Sequence, residues 1–181
     1  MATRKLVPRA DNEGGIGTAL KRWASGFFTS LTVGGITFPE GGLPKFSAHK
    51  NGTNQTGIQT ATYACVTFPT EEDDVGSCYS TVNSAWTPGI VGKAHISAAI
   101  FWTVAVDQTP IEIIIYKNNV AYKIKSKTTS GPSGQDILIS CDVKIDAVTD
   151  YFQIFAYQGS GGDKTIYGPA TLTWFTGHVL P

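Results

Sequence analysis

The fold is decided by the stretch YFQIFAY at residues 151–157, together with the run LTWFTGHVL at 172–180. Both stretches are rich in aromatic and β-branched residues, which favour strands, and a Gly-rich segment at 159–163 separates them. We therefore predict that they are paired strands at the end of a compact all-β domain. The second stretch is predicted to be a central strand of its sheet rather than a tail.

Side chains of the first stretch alternate between two predicted faces. One face carries Tyr151, Gln153, Phe155 and Tyr157, and the other carries Phe152, Ile154 and Ala156. Because both faces are largely apolar, the strand is predicted to be covered by a second sheet and by a neighbouring subunit of a trimer. A loop of the same chain is the alternative outer cover. The candidate residues for the trimer interface and core are Tyr79, Phe101, Tyr151, Gln153, Phe155, Tyr157 and Trp174.

Composition and charge restrict the function classes. The 181 residues suit one domain, or one domain with a small appendage, and 20 Gly are typical of a strand-and-turn protein. Lys plus Arg (14) balance Asp plus Glu (14), so no nucleic-acid partner is expected. The apolar runs are too short for a signal peptide or a membrane span. Cys65, Cys78 and Cys141 fit neither a disulfide framework nor a zinc site, which predicts buried, reduced thiols and synthesis in a reducing cytoplasm.

From residue 45 onward, short strand signals alternate with turn signals. The predicted strands are 60–68, 77–82, 93–106, 111–116, 120–124, 136–145, 151–157 and 170–179. Residues 117–119 are predicted to form a hairpin turn and 130–134 a loop. This many strands in this length predicts an all-β sandwich or jelly roll.

A change of composition near 41–44 divides the chain into a segment at 1–44 and a domain at 45–181. In the segment, an alternating strand would place Trp23, Phe27, Leu31 and Val33 on one face, although a helical face including the first three is the other interpretation. Nearby glycines favour the strand. Because the segment has few apolar residues, we predict that it packs against copies of itself, with these four as its candidate attachment residues.

Six short pieces carry a resemblance along the domain. They are FSAH at 46–49, VTF at 66–68 with DVG at 74–76 and Tyr79, WTPG at 86–89 with GKAHI at 92–96, IYKN at 115–118, the stretch 148–155, and FTGHVL at 175–180. Their order and spacing resemble the globular head family shared by complement component one-q and the tumour necrosis factor cytokines. The resemblance implies a trimer-forming jelly roll. His95 stands where an aromatic residue is usual in that family, and Thr149 where glycine usually precedes Asp150.

A second resemblance lies in the N-terminal segment. IGT at 16–18, KRW at 21–23, FF at 27–28 and LTV at 31–33 resemble the glycine-then-tryptophan unit of bacteriophage tail-fibre and virion-appendage proteins. Together the two resemblances imply a homotrimeric structural fibre of a virion, assembled in the host cytoplasm, in which residues 1–44 attach to other virion proteins. The jelly-roll head is expected to bind a host surface glycan or outer-membrane protein. A head-decoration or collar fibre without receptor binding, and a lectin-like binding module, remain alternatives.

Few patterns predict chemistry. The acidic run at 71–74 lacks the alternating spacing of a calcium loop, which favours a solvated loop over a Ca²⁺ site. No nucleophile elbow and no Ser–His–Asp pattern stands out, so we expect no enzyme activity and no cofactor. Three-fold symmetry would bring copies of a single histidine together, but satisfied single histidines are favoured. The candidate distal-loop contacts are Glu71, Glu72, Asp73, Asp74, Lys117, Asn118 and Asn119.

Overall fold

The computed structural model describes residues 30–33, 36–39, 42–103 and 106–181, and the regular elements in these ranges are β-strands. In chain order they are β1 Ser30–Val33, β2 Ile36–Pro39, β3 Lys45–His49, β4 Gln55–Ile58, β5 Ala64–Cys65, β6 Thr70–Val75, β7 Tyr79–Ser80, β8 Ala85–Trp86, β9 Gly92–Trp102, β10 Pro110–Lys117, β11 Val120–Thr128, β12 Gln135–Ile145, β13 Phe152–Gln158, β14 Lys164–Ile166 and β15 Trp174–Val179. A helix long and apolar enough to cross a membrane is not found in these ranges.

Two antiparallel sheets form a sandwich. Sheet I has the strand order β4-β14-β9-β15-β3-β6, and β12 also pairs with β9. Sheet II has the order β11-β10-β13-β8-β7, and β5 also pairs with β13. The strands β1 and β2 pair with each other in a separate two-stranded sheet. The predicted all-β jelly-roll sandwich is therefore confirmed.

The hydrophobic core lies between the two sheets because alternate residues of each central strand point there. The buried residues of β9 are Ala94, Ile96, Ala98, Ile100 and Trp102. Aromatic rings fill the middle of the core. Phe46 stacks on Tyr79 with ring centroids 4.6 Å apart and meets the edge of Phe175, also at 4.6 Å. Such aromatic pairs contribute about 0.5–1.5 kcal/mol each beyond the burial of their area.

The two stretches that decide the fold do not pair with each other. In sheet II, β13 lies between β10 and β8, whereas β15 lies in sheet I between β9 and β3. The prediction of paired strands was wrong because alternation fixes which side of a strand is buried, and not which strand lies beside it. The prediction that the second stretch is a central strand is confirmed.

Other differences are short strands. The strand predicted at 60–68 is reduced to β5, and β4, β6, β8 and β14 were not predicted. The acidic run at 71–74, predicted to be a loop with distal contacts, lies in β6, which pairs with β3 at an edge of sheet I. An edge strand pairs on one side only and leaves charged side chains in water, so acidic residues are compatible with it.

Two titratable groups have unusual surroundings. Lys50 is 2% exposed, and its Nζ donates to Gln55 Oε1 at 3.2 Å and to both oxygens of Thr67 at 2.9 Å. Burial lowers the pKa of Lys50 to about 8. Cys65, Cys78 and Cys141, all predicted to be buried and reduced, are free thiols but only half-buried. Burial raises the pKa of Cys78 to about 12, and a contact with the Asp74 carboxylate at 3.1 Å acts in the same direction.

Candidate functional site

The outward face of sheet I carries three rows of side chains that cross β12, β9, β15 and β3. The middle row is Ser140, Ser97, Thr176 and Ser47. On one side of it lie Leu138, Ala99, Trp174 and His49, and on the other side lie Asp142, His95, His178 and Lys45. Because the middle row is small and uncharged, no bulky side chain keeps a partner away from the centre of this face.

One lateral edge of the sandwich brings β11 of sheet II next to β12 of sheet I. Its exposed apolar side chains are Val120, Tyr122, Ile124 and Leu138. Lys123, Lys125 and Lys127 lie along β11, and we call this side of the molecule the lysine edge. Lys127 pairs with Asp136 at 3.5 Å, whereas the other two lysines form no ion pair with the residues that the structure describes. A groove of about 380 Å³ runs between the two strands.

The opposite edge of sheet I is β6, whose exposed residues Glu71, Glu72 and Asp73 we call the acidic edge. Asp73 pairs with Lys45 at 2.6 Å, while neither glutamate has an ion pair within the described ranges. In those ranges no three His, Cys, Asp or Glu side chains are grouped to hold a metal ion. Charge at a sheet edge keeps copies apart when both edges have the same sign, but here the two edges have opposite signs.

The outward face of sheet II carries four of the residues predicted for the trimer interface. Phe155 stacks on Tyr116 with ring centroids 3.9 Å apart, and Tyr157 lies against Tyr63 at 5.2 Å. The alternation of half-buried and buried residues along β13 confirms the predicted division of this strand into two faces. Part of the outer cover is Tyr63 of the same chain, which agrees with the alternative left open for this face.

The seven residues predicted for the interface and core occupy three places. Tyr79 is in the core, at 8% exposure. Phe101 and Trp174 lie on the outward face of sheet I, and the remaining four lie on the outward face of sheet II. Because these two faces are on opposite sides of the sandwich, one flat contact surface does not include both groups.

The predicted hairpin between β10 and β11 is present, but two of its predicted distal contacts have internal partners. Lys117 Nζ lies 2.5 Å from Asp146 and 2.8 Å from Asp150, which is 4% exposed. Asn118 Nδ2 donates to Asp150 at 2.8 Å. Burial raises the pKa of Asp150, but the hydrogen bonds from these two neighbours outweigh it and hold the pKa well below its ordinary value. Of the three hairpin residues predicted for distal contacts, Asn118 and Asn119 are exposed and Lys117 is half-buried.

A depression of about 350 Å³ opens on sheet II beside the aromatic residues. Its lining residues are Ser80, Asn83, Ala85, Thr87, Asn119, Tyr151 and Gln153. None of them is charged, and we call it the neutral depression. It combines residues around β8, the β10–β11 turn and the start of β13, which are far apart in the sequence. Of the lining residues, only Tyr151, Gln153 and Asn119 were predicted as site residues from the sequence.

An arrangement of Ser, His and Asp that sequence reasoning missed lies on sheet I. His95 Nε2 is 2.9 Å from Ser140 Oγ, and His95 Nδ1 is 2.8 Å from Asp142 Oδ1. The order of atoms is that of a hydrolytic triad. The Asp142 side chain is 65% exposed, however, whereas the Asp of a working triad is buried beside its His. The three residues are neighbours on adjacent strands, and their geometry follows from the β9–β12 register.

Comparison with known proteins identifies the fold. No protein-family model and no curated protein matches the sequence. Among solved structures, the globular domain of zebrafish complement 1qA protein matches with a TM-score of 0.57 and 14% identity, over 77% of this chain and 98% of that one. The Eiger tumour necrosis factor of S. frugiperda matches with a TM-score of 0.57 and 11% identity, over 76% and 94%.

Murine APRIL matches as well, with a TM-score of 0.59 and 6% identity, over 76% of this chain and 99% of that one. At these identities the similarity concerns the fold alone. The chain thus has the jelly-roll fold of the complement one-q and tumour necrosis factor proteins.

Proposed function

We propose that the chain is a homotrimeric, non-enzymatic binding protein of a virion fibre, in which the jelly roll is the distal head and the N-terminal segment is the attachment. The similarity of fold to the complement one-q and tumour necrosis factor structures supports a trimer-forming head. The resemblance of 16–33 to phage fibre units supports the virion assignment. Under this proposal the protein is made in the host cytoplasm and becomes part of the virion.

The observation that carries the trimer is the relation between the lysine edge and the outward face of sheet I. An apolar edge that includes Ile124 and Leu138 adjoins a face whose central row is small and uncharged. A contact between two different patches of the same chain is heterologous, and it closes into a ring when the rotation between the patches allows it. When the two patches lie on opposite faces of a flat sandwich, successive subunits stack in a row. When the patches are an edge and the adjoining face, each subunit is rotated relative to the one before, as a closed ring requires.

Charge supports the same docking. When the lysine edge of one subunit lies across sheet I of the next, Lys123 and Lys125 are directed towards the acidic edge at β6. These two lysines, and Glu71 and Glu72 on that edge, have no ion pair in the part of the chain that the structure describes, so they complement one another across the contact. Complementary charges of this kind fix the orientation of a contact and accelerate association more than they add affinity.

In the proposed trimer, binding at a cell surface and attachment to other virion proteins use different parts of the chain. The outward face of sheet II stays free for binding at a cell surface, and three copies of one weak site increase avidity without any new contact. Attachment to other virion proteins is assigned to the N-terminal segment. Of its candidate residues, Trp23 and Phe27 lie outside the described residues, while Leu31 and Val33 lie in β1 opposite Phe38 and Ile36 of β2.

The native mass of the full chain in solution, measured by light scattering on a sizing column, tests the proposed assembly. The proposal expects three times the chain mass of 19.3 kDa at micromolar concentration. A stable monomer would contradict it. Virions that lack residues 45–181 test the role: loss of adsorption supports receptor binding, while intact adsorption with a less stable particle supports a collar or decoration fibre.

A further inference from the structure

We propose that the neutral depression on sheet II is a binding site for an uncharged saccharide ring. The inference rests on the proposed surface-binding function and names the ligand class for it. The depression lies on the face that the proposed trimer leaves free, so three copies would point outward around one head. Its volume of about 350 Å³ is at the lower end of ligand sites in proteins, which suits one or two sugar rings.

The lining of the depression offers hydrogen-bonding groups and no charge. Six of the seven lining residues carry amide or hydroxyl groups and none carries a charge. The side chains of Asn83, Thr87, Asn119 and Tyr151 form no hydrogen bond with the residues that the structure describes. Amide and hydroxyl groups both donate and accept, which matches the hydroxyls of a sugar. A phosphate or a carboxylate would need a cationic partner in the lining, and the lining has none.

The depression also has an aromatic residue, Tyr151, in its lining. Tyr151 is half-buried, so part of this residue is accessible to a ligand there. The C–H groups on one side of a pyranose are apolar and slightly positive, and the face of an aromatic ring is negative. A sugar ring that lies between the polar groups of the lining and the ring of Tyr151 would be held both by hydrogen bonds and by packing.

The walls of the depression are fixed by internal hydrogen bonds before a ligand arrives. Gln153 Nε2 donates to the main-chain oxygen of Asn83 at 2.9 Å. Ser84, which is buried, accepts a hydrogen bond from the Phe68 N–H at 2.7 Å and holds the turn in a left-handed conformation at φ 49°. The Thr87 N–H donates to the Cys78 oxygen at 2.8 Å. A preformed site loses less conformational entropy on binding, which helps a small polar ligand.

Saturation-transfer NMR on the full chain tests the site, with the methyl glycosides of glucose, galactose, mannose and N-acetylglucosamine as probes at millimolar concentration. We expect transfer to at least one of the four and none to the charged sugar N-acetylneuraminate. Asn83→Ala and Tyr151→Ala should each weaken the binding at least tenfold, the effect of losing about 1.4 kcal/mol. A separate depression of about 250 Å³ lies on sheet I, where Thr171 lines it together with His49 and Trp174. Thr171→Ala is therefore the matched control and should leave the binding unchanged.

The proposal is overturned if none of the four glycosides binds, if only N-acetylneuraminate binds, or if Thr171→Ala weakens binding while the sheet II variants do not. Asn83 is exposed and forms no side-chain hydrogen bond with the described residues, so Asn83→Ala keeps the test independent of folding. The native mass of the same samples separates the two proposals. A trimer that binds no sugar leaves the proposed assembly intact and refutes the site, whereas a monomer refutes the assembly.

Discussion

The two outward faces of the sandwich are built on strands with the same alternation, but they carry different chemistry. Sheet I presents a row of small hydroxyl side chains, with an apolar edge and opposite charges at its two sides. Sheet II presents stacked aromatic rings beside a depression lined with amides and hydroxyls. A shallow face bordered by charged edges suits another copy of the chain, whereas a concave, neutral face suits a small polar ligand.

Charge reversal at the lysine edge has the largest expected effect on this comparison. Lys123→Glu combined with Lys125→Glu should lower the association constant of the subunits at least a hundredfold, because both edges would then be negative. Adding Glu71→Lys and Glu72→Lys should restore the trimer, as the contact has the same charges with the sides exchanged. Sedimentation velocity at low and high salt measures both effects. The charge pairing would be refuted if the variant with both lysines replaced stays trimeric at low salt, or if the variant with all four substitutions stays monomeric.

Asp150 tests whether the hairpin at the rim of sheet II is held by its internal ion pair. Asp150→Ala should cost about 2 kcal/mol in unfolding free energy, since it leaves the Asn118 side-chain amide and two main-chain N–H groups without their acceptor and removes one of the two carboxylates that pair with Lys117. Because the folded pKa of Asp150 is lowered, its contribution is complete at neutral pH and is lost as the pH falls below the ordinary carboxyl range. Urea unfolding of both proteins should therefore show a stability difference that shrinks below about pH 4. A difference that stays constant with pH would contradict the account.

Gly177 tests the core that the two faces share. A Cβ at this position in β15 would lie 2.8 Å from Phe46 and 2.9 Å from Trp86, both in the core. Gly177→Ala should therefore lower the unfolding free energy by about 1–3 kcal/mol through overpacking. Thermal unfolding measures it, with Thr176→Ala on the outward face of the same strand as the control, which should cost less. Equal costs for the two variants would mean that the core tolerates the extra methyl group.

The triad-like residues on sheet I are expected to show the smallest effect. Ser140→Ala should leave hydrolysis of p-nitrophenyl acetate at the rate of the unmodified protein, because the exposed Asp142 gives His95 little of the stabilisation that a buried carboxylate provides. A spectrophotometric assay measures this at neutral pH. If Ser140→Ala hydrolyses the ester more slowly than the wild type while a Ser97→Ala control keeps the wild-type rate, the face is catalytic and its assignment to subunit contact is wrong.

The sequence predicted the strands that alternate most clearly, and it predicted which residues of β13 are buried. It failed where long-range pairing decides the structure. β13 and β15 belong to different sheets because crossovers, rather than local patterns, choose strand neighbours. The charges of the acidic run 71–74 predict a loop because charge disfavours a buried strand, whereas β6 is an edge strand.

The candidate sites were harder to predict for the same reason. The contact of His95 with Ser140 and Asp142 exists only through the register of β9 with β12. The neutral depression draws its lining from segments as far apart as Ser80 and Gln153. The resemblance of IYKN at 115–118 to the head family was informative, but its Lys and Asn hold the turn through Asp150 and do not extend towards a partner.

The most direct test of the central claim compares the native masses of Ser97→Arg and Gln153→Arg by light scattering. Each variant places one bulky charge on a half-buried position, the first at the centre of the sheet I face and the second on sheet II. We expect Ser97→Arg to be a folded monomer and Gln153→Arg to be a trimer like the unmodified chain. A trimeric Ser97→Arg together with a monomeric Gln153→Arg would show that the subunits meet through sheet II and would contradict the account.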